Sequence, residues 1–204
     1  MRRRRGISTK TLVALLSLVL LLGCSLGGTL AWLADSTGPV TNTFTVGDID
    51  ITLVETTEDY KIVPGVNIAK DPKVTVEGGS EACWLFVKVD EANWPEFKED
   101  DGTTRKVKYA IATDWTKLTG VEGVDNVYYR KVDAETAKAG HEYPVLEGNK
   151  VTVSNTLTKS EVQGIGTGEN APTLTFTAYA VQQEGVDTPQ KAWEIAQDAS
   201  VSTT

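Results

Sequence analysis

The chain of 204 residues is 40% hydrophobic and 24% charged, which excludes wholesale disorder and suits one domain with a small appendage. Its formal net charge is −8; the first 31 residues hold five cations and no acid, so the remainder carries −13 and repels nucleic acid and anionic lipid. A single histidine, His141, and two cysteines, Cys24 and Cys83, exclude an HExxH zinc protease, a multi-histidine metal centre, a zinc ribbon and a disulfide framework, and no Gly-x-x-x-x-Gly-Lys-Ser/Thr loop or Gly-x-Ser-x-Gly elbow occurs.

Arg2, Arg3, Arg4, Arg5 and Lys10 form a basic start, and residues 12–22 follow as an apolar run broken only by Ser17. A positive start, a short apolar helix and then small residues read as an export signal. Four arginines at its mouth argue against a buried core helix, and Gly6-Ile7-Ser8 is unlike a twin-arginine signal. Thr29 and Ala31 place small residues at −3 and −1, so cleavage is expected after Ala31, with Trp32 as the mature N-terminus. Two other fates rank below it. Leu21-Leu22-Gly23-Cys24 fits a lipobox that would make Cys24 the acylated N-terminus, and the uncleaved stretch to Leu33 is long enough for one spanning helix of about 20 residues.

The body alternates in short runs. Phe44, Val46, Ile49, Ile51 and Leu53 are predicted strand positions with a change of phase at Gly47-Asp48, read as a bulge or turn. Val74 and Val76 mark a short strand, and the nearly all-apolar run 83–89 a central one covered on both faces. Runs 109–112, 127–132 and 150–153 add three more. In 174–181, Leu174, Phe176, Ala178 and Ala180 share one face, and Thr175, Thr177, Tyr179 and Val181 the other. Pro64-Gly65, Gly78-Gly79, Asp101-Gly102, Glu122-Gly123, Gly148-Asn149 and Gly166-Thr167-Gly168 punctuate these runs, which predicts an all-β sandwich. Short helices are predicted at 159–163 and after Thr188-Pro189, where Ala192, Trp193, Ile195 and Ala196 make an apolar face.

The run Gly27-Gly28-Thr29-Leu30-Ala31-Trp32-Leu33-Ala34-Asp35-Ser36, followed by Asn42-Thr43-Phe44-Thr45-Val46-Gly47-Asp48-Ile49-Asp50-Ile51, resembles the export signals and mature N-termini of the TasA/camelysin group of Gram-positive bacteria. Val63-Pro64-Gly65, Lys70-Asp71-Pro72-Lys73-Val74-Thr75-Val76 and Ala82-Cys83-Trp84-Leu85-Phe86-Val87-Lys88-Val89 are similar to later stretches of those proteins. The resemblance implies processing by a signal peptidase of the SipW type, a jelly-roll-like sandwich and association with matrix fibres. The expected plan is a signal peptide at 1–31, an N-terminal arm or first strand at 32–45 and a β-sandwich domain at 46–200.

Candidate chemistry is sparse. His141-Glu142, expected in an exposed loop between Gly140 and Pro144, has no further ligands at metal spacing, so the metalloprotease activity described for camelysins finds no zinc motif here. Glu96, Glu99, Asp100 and Asp101 lack the alternating spacing of a calcium loop; a solvated charge run at a hairpin tip is favoured over cation binding. Gly164-Ile165-Gly166-Thr167-Gly168 lacks the lysine and the strand-to-helix setting of a phosphate loop and reads as a flexible connection. Cys83 is expected in the core, as are Trp84, Trp94 and Trp115, with surface platforms for carbohydrate as the alternative for the tryptophans. The expectation is a non-catalytic, cofactor-free, secreted cell-surface or biofilm-matrix protein, touching membrane only through the uncleaved signal. Self-association would run through strand donation by residues 32–45. The alternatives are a lipid- or membrane-anchored adhesin-like binding module and, after it, a camelysin-type metalloprotease.

Overall fold

Residues 42–56 and 61–201 are described by the computed structural model, so the signal peptide and most of the expected arm lie outside the described residues. In chain order the strands are β1 (Asn42–Val46), β2 (Ile51–Val54), β3 (Ile68–Ala69), β4 (Lys73–Val76), β5 (Cys83–Ala92), β6 (Val107–Lys108), β7 (Thr116–Lys117) and β8 (Val127–Val132). Helix α1 (Ala134–Ala139) leads to β9 (His141–Pro144) and β10 (Lys150–Val153), and α2 (Lys159–Gln163) leads to β11 (Thr173–Gln182) and the C-terminal α3 (Pro189–Val201).

The described residues are mostly strands with few short helices, an all-β arrangement. One five-stranded sheet has the order β1-β11-β5-β8-β7; two three-stranded sheets have the orders β2-β4-β9 and β3-β10-β6. Every pairing is antiparallel except β1 with β11. Residues of both small sheets pack into the main core with the five-stranded sheet. Val145 N–H donates to the Pro72 carbonyl at 2.9 Å, and a bridge joins Ile111 to Leu146.

Alternation along β5 and β11 builds two cores at once. Cys83, Leu85, Val87 and Val89 join Leu174, Phe176, Ala178 and Ala180 in the main core, against Ile51, Leu53, Val74, Val76, Tyr143, Val151 and Val153 of the two small sheets. Trp84, Phe86, Tyr179 and Val181 project the other way and are covered by Ala192, Trp193 and Ala196 of α3. The all-apolar run in β5 is thus explained, because both faces of the strand are buried.

The helices start and stop where local chemistry requires. Asp133 caps α1 by accepting from Thr136 N–H at 2.9 Å, and Gly140 ends it at φ 80°. Thr158 and Glu161 close a reciprocal capping box on α2. Glu161 also holds the buried Lys106 at 2.9 Å, which ties α2 to the start of β6. Lys191 N–H donates to the Thr188 hydroxyl at the start of α3, beside Pro189.

Of the two readings of Gly47-Asp48, a bulge or a turn, the chain takes the turn: β1 and β2 lie in different sheets and Ile49 is buried in the main core. Two expectations need correction. Residues 109–112 form no strand; Ala112 N–H donates to Val145 and Glu147 N–H to Ala110, so this run meets the 144–147 segment rather than a ladder. His141-Glu142 lies in β9, paired to Val76 and Thr75, and not in a loop.

Trp193 is the centre of the outer core, with its ring 5.4 Å from Phe86 and 5.0 Å from Tyr179. Trp193→Ala is expected to cost about 3–5 kcal/mol in urea unfolding. Val54→Ala, at a position 53% exposed, is expected to stay within about 0.5 kcal/mol.

Candidate functional site: the β1 edge

Among the described residues the five-stranded sheet ends at β1, whose uncharged, Thr- and Val-bearing sequence suits an extended edge. It runs parallel to β11, from Asn42 opposite Thr177 to Val46 opposite Val181. Thr43 and Thr45 are exposed, and Val46 packs partly buried against the outer core. Beneath it β11 is almost wholly buried. Backbone pairing along all five residues ties β1 to β11. Helix α3 packs against both β1 and β11 and flanks this edge.

Downstream, the chain is fixed firmly. Glu77 N–H donates to the Asp50 carbonyl at 2.8 Å, Glu81 N–H donates to the Asp48 carbonyl at 3.2 Å, and Ile49 is buried. Between β1 and this anchor sits Gly47, at φ 105°. A Cβ there would lie 2.7 Å from Cβ of Gln182, the last residue of β11. Only glycine satisfies both the backbone and the close approach.

At the opposite end of the sheet, β7 pairs only with Tyr128 and Tyr129 of β8. Among the described residues, no strand continues this pairing along Arg130 to Val132. The Arg130 guanidinium stacks 3.9 Å from the Tyr143 ring centre and 5.6 Å from that of Trp115. Burial lowers its pKa from the usual arginine range. A cleft of about 440 Å³ opens between α3 and the 121–127 segment, with Trp193, Lys88, Asn126 and Gln197 on its walls.

The acids singled out in the sequence share one hairpin, and His141 lies in β9. Thr29, Ala31, Trp32 and Cys24 lie outside the described residues. His141 is exposed, with its ring 4.7 Å from that of Tyr143. Among the described residues, no group of three or more His, Cys, Asp or Glu is placed to hold a metal ion. Asp101 accepts from Thr103 N–H, Thr104 N–H and the Thr104 hydroxyl, and these bonds, the hydroxyl's first, hold its carboxyl well below the usual range. Glu99 accepts from the Thr156 hydroxyl, and Glu96 pairs with Arg105 at 2.8 Å. The acids thus shape the hairpin tip formed around the Lys98–Arg105 bridge.

Gly166 is held close to Asn170, whose carbonyl oxygen an added Cβ would strike, and the turn of 3₁₀ helix Gly168–Asn170 follows. The Gly164-to-Gly168 connection is therefore tightly packed at its middle. Trp84, Trp94 and Trp115 each donate the indole N–H to a backbone carbonyl, of Val186, Val107 and Pro144 respectively. Trp84 and Trp115 are buried and Trp94 packs half-buried on the main core, so none is a surface platform. What the sequence did not reveal is the parallel pairing of β1 and the close approach to Gln182 that requires glycine at 47. The only signal was the change of phase at 47–48.

No protein-family model, curated protein or solved structure matches the chain. Among the described residues, no helix is long and apolar enough to cross a membrane.

Two measurements check this geometry. Gly47→Ala is expected to cost about 1–3 kcal/mol and to speed amide exchange in residues 42–46 more than in β5. Cys83 is fully buried, and burial pushes its thiol up to about 12. Iodoacetamide is expected to spare it in folded protein and label it in guanidinium, as read by peptide mapping.

Proposed function

We propose that the chain is an exported, non-catalytic structural protein of the cell surface or biofilm matrix, of the TasA/camelysin type. A jelly-roll-like sandwich follows a signal helix that a peptidase of the SipW type removes after Ala31. The basic and apolar pattern of residues 2–22 and the small residues Thr29 and Ala31 support export and cleavage. The β architecture, the buried Cys83 and the placement of the acids in one hairpin support a role in contact rather than catalysis.

The observation that carries the assembly reading is the edge strand β1. It lies ten residues after the proposed mature N-terminus at Trp32, pairs in parallel with β11, and has a glycine at its exit. A strand of that kind can leave its own β11 and pair with the β11 of a neighbour. Backbone hydrogen bonds supply the affinity and alternate side chains the register. Addition from one copy to the next does not close on itself and builds a filament.

Protein starting at Trp32 is expected to form filaments by electron microscopy and sedimentation, and protein starting at Gly47 to remain without them. Equal polymerisation of the two, or none at high concentration, sinks strand donation by β1. Purified protein is also expected not to hydrolyse casein; chelator-sensitive hydrolysis lost in His141→Ala would overturn the non-catalytic reading.

A second reading, an anchored binding module, is favoured by the cleft beside α3, where an indole wall and polar groups of Asn126, Gln197 and Lys88 face a common space. Lipidation at Cys24 would accompany it, detected as a diacylated N-terminal peptide in the membrane fraction.

A further inference from the structure

Glu55, Lys70 and Asn149 come together at one end of the main core. Lys70 directly follows β3, and its N–H donates to the Asn149 carbonyl at 3.0 Å. This extends the β3–β10 ladder one pair beyond Ala69 opposite Lys150. Residues directly opposite in an antiparallel ladder project to the same face, with Cβ atoms about 5 Å apart. Here that face is core, since Ile68 and Val151, the neighbouring pair on it, both pack into the main cluster.

Lys70 follows that alternation inward. The residue is 3% exposed, its Nζ lies 2.6 Å from Glu55 Oε1, and it sits 5.5 Å from the centre of the buried Phe176 ring. The Glu55 side chain is equally buried. Asn149, held at φ 51°, also turns its Oδ1 away from water, and that atom accepts no hydrogen bond. An amine in an apolar setting is pushed toward its neutral, nucleophilic form; burial lowers the Lys70 pKa, against the opposing effect of Glu55. A carboxyl group touching that amine is placed to move its proton. The cross-strand residue Asn149 carries an amide carbon, an electrophile, on the side of the ladder that Lys70 faces.

We propose that Lys70 and Asn149 become joined by an intramolecular isopeptide bond, with Glu55 as the proton relay. Glu55 takes a proton from the Lys70 ammonium. The Nζ electron pair then attacks Cγ of Asn149 and forms the new C–N bond. Glu55 returns its proton to Nδ2 of Asn149, the Cγ–Nδ2 bond breaks, and ammonia leaves. The second Nζ proton released on attack is passed back to Glu55 or to the departing ammonia as ammonium. Nothing is oxidised or reduced, and the product is a secondary amide that clamps β3 to β10. Unlike strand donation, this clamp is internal to one copy, so it stands or falls separately from the assembly reading.

Peptide mapping and intact mass of the folded full chain test it. The expected mass is about 17 Da below that of the sequence, once N-terminal processing is assigned, which is the ammonia lost. Trypsin is expected to release a branched peptide containing both Lys70 and Asn149. Lys70→Arg and Asn149→Ala are each expected to restore the unmodified mass. Glu55→Gln is expected to keep the circular dichroism spectrum but to lack the branched peptide. Folded wild-type protein at its full sequence mass, with Lys70 and Asn149 in separate peptides, overturns the proposal without recourse to any variant. A 17 Da loss that persists in Lys70→Arg overturns it too, since a succinimide at Asn149 would then account for the loss.

Discussion

The ten-residue antiparallel pairing of β5 with β11 is the constraint on which the other elements depend. It runs without interruption from Cys83 opposite Gln182 to Ala92 opposite Thr173. Because side chains alternate across a strand, a slip of one residue would exchange every inward and outward group on β11. Leu174, Phe176, Ala178 and Ala180 would face α3, and Tyr179 and Val181 would be forced into the main core. Both faces are buried, so neither core tolerates the exchange. The register is therefore specified twice, once by each core.

From that pair outward, the elements are held less firmly. β8 pairs with β5 over Cys83 to Lys88, and β7 touches β8 at only two positions. On the other side, β1 can pair only once β11 is in place, although it is encoded near the start of the chain. Such a contact closes a very long loop and is favoured late in folding. Until it forms, the buried strand β11 presents an open edge. A strand from the chain's own N-terminus and one from a neighbour have the same sequence and can make the same backbone hydrogen bonds. Which of them arrives is then a matter of effective concentration rather than of chemistry.

Much of this was legible in the sequence because period-2 alternation is a local property. Both faces of β11, the doubly covered run in β5, and α2 and α3 follow from alternation, capping and proline position. Pairing partners are not local. Nothing in Asn42-Thr43-Phe44-Thr45-Val46 announces a parallel partner far along the chain, and residues 109–112 carry strand-forming side chains yet meet a turn. His141 looked like a loop residue because Gly140 and Pro144 flank it, whereas both lie at the ends of a short strand. Gly140 serves as the stop of α1, a helix missed because only Ala137 of it is buried. The Glu55–Lys70–Asn149 constellation was equally hidden. Its members are spread over 95 positions and meet only through the β3–β10 register and the burial of Glu55 against it.

Charge bears on how such a chain could assemble. The body carries −13 beyond residue 31, so two copies approaching side by side repel wherever their acids lie within a Debye length of about 8 Å. Broad lateral packing is disfavoured by that field. Pairing at an edge is different, because only the groups on the two strands come close. β1 has no acidic or basic side chain, and neither does the β11 segment it pairs with, from Thr177 to Val181. The β1 edge is thus a neutral strip on an acidic body. On the proposed reading, like charge elsewhere opposes surface contact between copies, while the uncharged strip leaves backbone pairing unopposed. On the same reading, directionality follows from this contrast: the same repulsion that suppresses sideways contact leaves end-to-end strand addition as the least opposed mode of association.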